Sequence, residues 1–299
     1  MAILVVGSVA LDTIETPFGL KREVLGGSAT YFSLAGRFFH PVRIVAVAGK
    51  DMSKEKLFLL RKRNIDLEGL EIKKGRTFRW WGRYGNDFNH RQTIKLELNV
   101  FEKFSPRLAY PYNRTPFVFL ANIDPVLQKK ILGQIRGRRF VGSDTIDHWI
   151  RNKPDDLLLL LKKTDVFFIN NSEAELFSQR SNIYQAARWL AGKGPEVVVI
   201  KKGEQGALMF CGNRFFSCPA FPVKEVVDPT GAGDAFAGGF MGYIASYKRV
   251  YEREFRRAVV CGTVMGSFAV ESFGPQRLLD LNFLEIKKRI NFFKKLINF

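Results

Sequence analysis

The chain has 299 residues, 46% of them hydrophobic, and only three cysteines, Cys211, Cys218 and Cys261. That is core enough to fold without disulfides, and no C-x-x-C pair or neighbouring histidine completes a zinc set. The net charge of +18 admits nucleic acid, an acidic membrane surface or anionic substrates as partners. The lysines and arginines are spread along the whole chain, however, and clusters such as Arg136-Gly137-Arg138-Arg139 and Lys287-Lys288-Arg289 lack the scaffold of a nucleic-acid module. A solvated basic surface that steers a nucleotide is the expectation, with no dedicated nucleic-acid partner.

Residues 1–7 carry no basic n-region, and their apolar run is too short for a signal or a membrane span, so a cytoplasmic protein is expected. Short runs rich in Val, Ile and Phe read as buried strands at 3–6, 42–48, 117–121, 166–169 and 197–200. Helical patterns fall between them at 28–39, 54–63, 125–136, 154–163 and 181–193. This alternation predicts an α/β fold, a mostly parallel sheet flanked by helices. Residues 13–25 and 70–100 break the alternation with β-type patterns dense in Thr, Arg, Trp and Tyr, which reads as a small β lid over the sheet edge. One domain spanning 1–299 with those inserted lid strands is preferred to two units. The last stripe, Phe283, Ile286, Ile290, Phe293 and Ile297, follows one face of an amphipathic basic helix expected to pack on the body.

No G-x-x-x-x-G-K-[ST] run exists, and the first strand does not lead into G-x-G-x-x-G. Phosphate binding then falls to Asp228-Pro229-Thr230-Gly231-Ala232-Gly233-Asp234-Ala235-Phe236, where a bare carboxylate stands beside a glycine turn that opens a helix near Asp234. Gly231 and Gly233 let successive amides, with Ala232 between them, converge on one anion, and the helix dipole adds to that hole. An acid there would repel phosphate unless it serves as a base. Asp234 is the candidate to take the proton of an attacking hydroxyl. The bland alternative is a tight turn with a first-turn acid.

The longer run matches D-x-T-G-A-G-D-x-F, the pattern of the ribokinase-like (PfkB) carbohydrate kinases, and the resemblance extends over nearly the whole chain. It implies ATP and Mg²⁺ with a small hydroxylated acceptor. Gly26-Gly27-Ser28-Ala29-Thr30 resembles the family's double-glycine signature, so Gly26, Gly27 and Thr30 are implied to lie at the substrate hydroxyls. Asp12, at the end of the first strand, sits where members hold those hydroxyls with a carboxylate, or else acts as a helix cap. Asn170-Asn171-Ser172-Glu173 resembles the N-x-x-E element. It implies Asn170 near the nucleotide phosphates and Glu173 organising Mg²⁺ through water, the alternative being a helix cap by Ser172 or Asn171. In Lys201-Lys202-Gly203-Glu204-Gln205-Gly206, similar to the family's K/T-x-G-x-x-G turn, Lys201 takes the phosphate-contacting position, with Gly203 and Gly206 shaping the nucleotide turn; Lys202 is its rival. Asp228 and Thr230 match positions beside a monovalent-cation loop, which implies K⁺ stimulation. A homodimer through the lid is a further expectation.

Ribokinases proper carry asparagines where this chain has Ala10 and Tyr31, and a lysine where it has Ser28, so ribose itself is in doubt as the acceptor. In the lid, Arg79, Arg83, Asn89 and Arg91 either face an oxygen-rich, even phosphorylated, substrate or form the outward face of exposed strands. A sugar or polyol kinase is the first reading. A nucleoside kinase is the second, with Trp80, Trp81, Tyr84 and Phe88 available to stack on a base. A basic interaction module that kept the fold without activity is a third.

Overall fold

β1 (Ile3–Val6) sends Ile3 and Val5 into one hydrophobic core and Leu4 and Val6 into another. A strand that is apolar on both faces belongs to a sheet covered by helices on both sides. The computed structural model describes residues 2–88, 90–138, 140–247 and 249–297; Asn89 and Arg139 lie outside the described residues. After β1 come β2 (Ala10–Thr16), β3 (Gly19–Gly26), α1 (Ser28–Gly36), β4 (Val42–Gly49), α2 (Lys54–Arg61), β5 (Asp66–Lys73), β6 (Arg79–Tyr84) and β7 (Arg91–Glu97). The middle of the chain supplies β8 (Phe117–Leu120), α3 (Pro125–Leu132), β9 (Phe140–Asp144), α4 (Asp147–Asn152), α5 (Pro154–Leu161), β10 (Val166–Asn170), α6 (Asn171–Ser178) and α7 (Ile183–Ala191). The last third holds β11 (Val197–Lys201), β12 (Ala207–Cys211), β13 (Arg214–Cys218), α8 (Ala232–Ala245), α9 (Glu252–Ala269), α10 (Gln276–Asp280) and α11 (Phe283–Ile297).

Nine strands form the large sheet in the order β13-β12-β11-β10-β9-β8-β1-β4-β5. All neighbours are parallel except the pairs β11–β12 and β12–β13. One core lies under α1, α8 and α9, and the other under α3, α5, α6 and α7. Local chemistry sets the helix starts. Ser53 caps α2 by accepting the Lys56 amide, Asp124 caps α3 ahead of Pro125, and Asn182 caps α7. The helices end two to four residues before the periodic patterns suggest, and Gly133 and Gly192 close α3 and α7. No helix among the described residues is long and apolar enough to cross a membrane. In α11 Ile286 and Phe293 are buried and Phe283 is exposed, while the Ile297 side chain lies outside the described ones.

A second sheet of four strands, β3-β2-β6-β7, gathers the strands of the two stretches expected to form a lid and is called the lid below. Its extent differs from the sequence reading in one respect. Residues 70–73, expected in the lid, instead complete β5, the edge strand of the large sheet, paired to β4. The stretch 70–100 therefore divides between two sheets, joined by a loop whose Gly75 takes a φ of 127° and which is held to the end of β4 through Lys50 and Gly49.

Candidate active site

In a parallel sheet the carboxyl ends of the strands share one edge, where open α/β folds bind ligands. Asp144, Asn170 and Lys201 are the last residues of the adjacent strands β9, β10 and β11; Asn170 and Lys201 are in register, and Asp144 stands opposite Phe168, two residues short of that level. Lys201 Nζ donates to Asp144 Oδ2 at 2.6 Å. The same Nζ lies 3.1 Å from where a Cβ on Gly233 would stand, so it touches the glycine turn as well. Burial works against the Lys201 ammonium, yet Asp144 and Glu173 hold its pKa above the ordinary lysine value. Lys202 instead donates its amide to the Gly206 carbonyl. Gly203 and Gly206 form the tight turn between β11 and β12, both with positive φ.

Asn170 and Glu173 form a capping box on α6: Asn170 Oδ1 accepts the Glu173 amide at 2.8 Å, and Glu173 Oε2 accepts the Asn170 amide at 2.9 Å. Asn170, rather than Ser172 or Asn171, is the cap, because β10 runs directly into α6 at that residue. Glu173 is buried, which pushes its carboxyl up to about 7; Lys201 opposes that rise and Asp144 adds to it.

The glycine turn starts α8 two residues earlier than the sequence suggests, at Ala232. Gly231, at φ 75°, is the N-cap, and Tyr31 of α1 lies flat against it, its ring 2.2 Å from where a Cβ would be. Ala232 spends its amide on the Pro229 carbonyl at 3.2 Å, which removes it from the expected anion hole. Among the described residues the amides of Gly233 and Asp234 make no main-chain bond, as first-turn donors do not. Asp234 is half-buried; desolvation pushes its carboxyl up to about 7, with Asp144 adding and Lys201 and Arg91 opposing. Asp228 is fully buried, and its two oxygens accept the amides of Thr230 and Gly274, each at 2.8 Å.

Asp12 lies in β2 of the lid, not at the end of the first strand, which closes at Val6. Its carboxylate packs on Gly26, leaving no room there for a side chain. Burial raises it to about 7 against the Gly27 amide, and Asp228 and Asp234 both add to the rise. Thr30 does not reach this pocket: it is fully buried and its hydroxyl donates to the Gly26 carbonyl at 2.7 Å, which fixes the double-glycine turn.

Strand register sorts the lid residues. Asp12 pairs with Trp80 and Ile14 with Gly82, so Asp12, Trp80, Gly82 and Tyr84 share one face and Arg79, Trp81 and Arg83 the other. Arg79 is thereby corrected as a substrate contact. It is paired with Glu23 and with Asp51 Oδ2 at 2.7 Å, while Arg83 is paired with Glu15 at 3.0 Å. Arg79→Ala and Arg83→Ala are accordingly expected to leave the acceptor KM unchanged in steady-state kinetics, with Arg83→Ala costing about 0–1 kcal/mol of stability. The inward cation is Arg91, 5.6 Å from the Trp80 ring and near enough to Asp234 and Glu173 to lower both. Phe88 packs on Phe18 at the lid tip, 6.4 Å between centroids.

A sequence model described as pfkB family carbohydrate kinase matches residues 12–281. The chain belongs to the pfkB family. As such it is an ATP-dependent phosphotransferase with a hydroxyl group as acceptor. Over 256 residues it is 32% identical to a cytidine kinase of Thermococcus kodakarensis, covering 83% of this chain and 88% of that one. A nucleoside kinase structure from Methanocaldococcus jannaschii superposes with TM-score 0.78 at 21% identity, covering 97% and 98% of the two chains. A Burkholderia thailandensis nucleoside kinase solved with inosine gives TM-score 0.80 at 19% identity, covering 100% and 99%. At those identities the structural likeness speaks for the pfkB fold.

Sequence reasoning missed Asp144. Phe140-Val141-Gly142-Ser143 is short, interrupted by glycine and serine and preceded by arginines, so β9 carried no strand signal; only the spacing of its neighbours, β8 and β10, leaves room for it. Tyr31 was legible as a departure from ribokinases but not as the floor of the turn.

Proposed function

We propose that the acceptor of this pfkB kinase is a nucleoside, phosphorylated on a ribose hydroxyl. The observation that carries this reading is the inner face of the lid. The Trp80 indole lies over Gly82, so close that a Cβ there would sit 1.9 Å from the ring, and its Nε1 donates to Thr93 at 3.2 Å. A flat, anchored indole on the same face as the Asp12 carboxylate suits a base stacked beside a clamped ribose. Asp228 and Asp234 both act on the Asp12 carboxylate across this pocket. Of the lid arginines that would suit a phosphorylated acceptor, Arg79 and Arg83 are turned to the other face, and the inward Arg91 lies by the Trp80 ring and acts on Asp234 and Glu173. Both features favour a neutral, donor-rich acceptor. The cytidine kinase relative supports the same choice.

In this reading Asp234, as carboxylate, takes the proton of the attacking hydroxyl while the amides of Gly233 and Asp234 and the Lys201 ammonium hold the charge of the moving phosphoryl group. Asp12 orients the ribose hydroxyls, and the lid keeps water from serving as acceptor. No group of three or more metal-ligating side chains occurs among the described residues. That suits Mg²⁺, which takes few protein carboxylates, here Asp144 and Glu173, and most of its ligands from phosphates and water. Bound there it would neutralise the β- and γ-phosphates. K⁺ would act through the loop that Asp228 ties to Gly274, and replacing Na⁺ by K⁺ in the assay is expected to raise turnover; equal rates in the two salts would remove the cation from the account.

The acceptor is tested by ADP release and product mass across nucleosides, sugars, polyols and sugar phosphates. Nucleosides are expected to give the highest kcat/KM. Trp80→Ala is expected to raise the nucleoside KM by about 5- to 100-fold, the range of one base–aromatic stack, and to leave any sugar acceptor unaffected. A sugar or polyol outrunning every nucleoside, with Trp80→Ala silent, would return the reading to a sugar kinase.

A further inference from the structure

Tyr84 ends β6 on the inner face of the lid, and it is buried. Its phenol oxygen accepts a hydrogen bond from the Thr230 hydroxyl at 3.2 Å. Thr230 belongs to the phosphate turn: its amide is held by Asp228 Oδ1, and the next residue is Gly231, the cap of α8. Among the described residues this is the one side-chain hydrogen bond from β6 or β7 to that turn. The other side-chain ties between the β6–β7 half of the lid and the body gather at its base, where Asp51 accepts from Thr77 and Arg79 and Asn99 donates to the Thr77 carbonyl. Around the Tyr84 oxygen the groups that act on it are Arg91 from β7, Asp228 from the turn and Asp12 from β2. Tyr31 faces the same pocket from α1, its hydroxyl buried and unpartnered.

The Tyr84–Thr230 bond joins the inner face of the second sheet to a residue beside the turn that would hold the phosphoryl group. We propose that Tyr84 is a positioning residue: by accepting the Thr230 hydroxyl it couples seating of the lid over the acceptor to setting of the phosphate turn. The coupling is reciprocal, so nucleotide held at the turn must also steady the lid. The inference rests on the kinase reading above, but not on the identity of the acceptor.

The test combines hydrogen exchange with kinetics. In the wild type, adding ATP and Mg²⁺ without acceptor is expected to slow amide exchange in residues 79–84. Tyr84→Phe and Thr230→Val are each expected to abolish that protection, and Thr230→Ser, which keeps the hydroxyl, to restore it. With cytidine and ATP, each disruptive variant is expected to lower kcat about three- to tenfold, the range of one neutral hydrogen bond. Each is also expected to raise the ratio of ATP hydrolysis to transfer, and the double variant to lose no more than either single one. Protection that persists in Tyr84→Phe, or losses that multiply in the double variant, would overturn the strut. If the protection behaves as described but cytidine is not phosphorylated, the strut stands and the nucleoside reading falls. If cytidine is phosphorylated and Tyr84→Phe matches the wild type in both measurements, the strut falls and the nucleoside reading stands.

Discussion

Asp234→Asn is expected to fold, to bind ATP and to lower turnover by about 10²- to 10⁴-fold at saturating acceptor, the reach of a positioned general base. The side chain is in the first turn of α8, beside amides left free by the helix geometry, and an amide of the same shape keeps the packing while removing the proton acceptor. Because burial holds the wild-type carboxyl at about 7, the working carboxylate is lost on acidification, so kcat/KM should fall below about pH 7 and level off above it. The stability effect runs the other way. A carboxyl whose folded pKa is raised contributes stability below the ordinary carboxylate range and loses it as the pH rises through about 7. At pH values above 7 the asparagine variant is therefore expected to melt no lower than the wild type. A turnover equal to that of the wild type would remove Asp234 from the mechanism, and a variant that melts lower only at alkaline pH would contradict the raised carboxyl.

Gly231→Ala is expected to be more damaging than any other glycine change in the turn. Its φ of 75° is a conformation that only glycine takes readily, and the added methyl would meet the Tyr31 ring at 2.2 Å. Either the ring moves or the turn unwinds, and overpacking of this kind costs about 1–3 kcal/mol. With the turn displaced, the amides of Gly233 and Asp234 no longer converge, a loss of about 10²–10³ in rate per misplaced donor. Gly233→Ala is the control. Its methyl meets no backbone and only the Lys201 side chain, with Nζ 3.1 Å away, and its φ is not in the left-handed region, so a smaller loss of turnover is expected. Parallel melts and steady-state rates decide this; equal rates for the two variants would mean that the geometry of Gly231 is not what sets the anion hole.

Much of this site could be read from the chain because its parts are local. The glycine turn, the capping box of Asn170 and Glu173, and the lysine closing β11 each occupy a few consecutive residues whose conformation those residues dictate. What escaped depends on register between distant segments. Whether Arg79 faces the acceptor is decided by its pairing with Leu11 rather than Asp12, and a shift of one residue would reverse the answer. The second half of edge strand β5 reads like lid because its alternation and charge resemble those of exposed strands, and only its pairing with β4 assigns it to the body. Likewise the Asp144–Lys201 contact joins residues 57 positions apart across two strands, and no spacing rule connects them.

A crystal structure of the protein with ADP, Mg²⁺ and cytidine would test the proposed site most directly. A ribose hydroxyl within hydrogen-bond distance of Asp234, the Asp12 carboxylate on the neighbouring hydroxyls and the base stacked on Trp80 are expected. Cytidine bound with its ribose remote from Asp234, or seated on the Arg79 face of the lid, would contradict the proposed site.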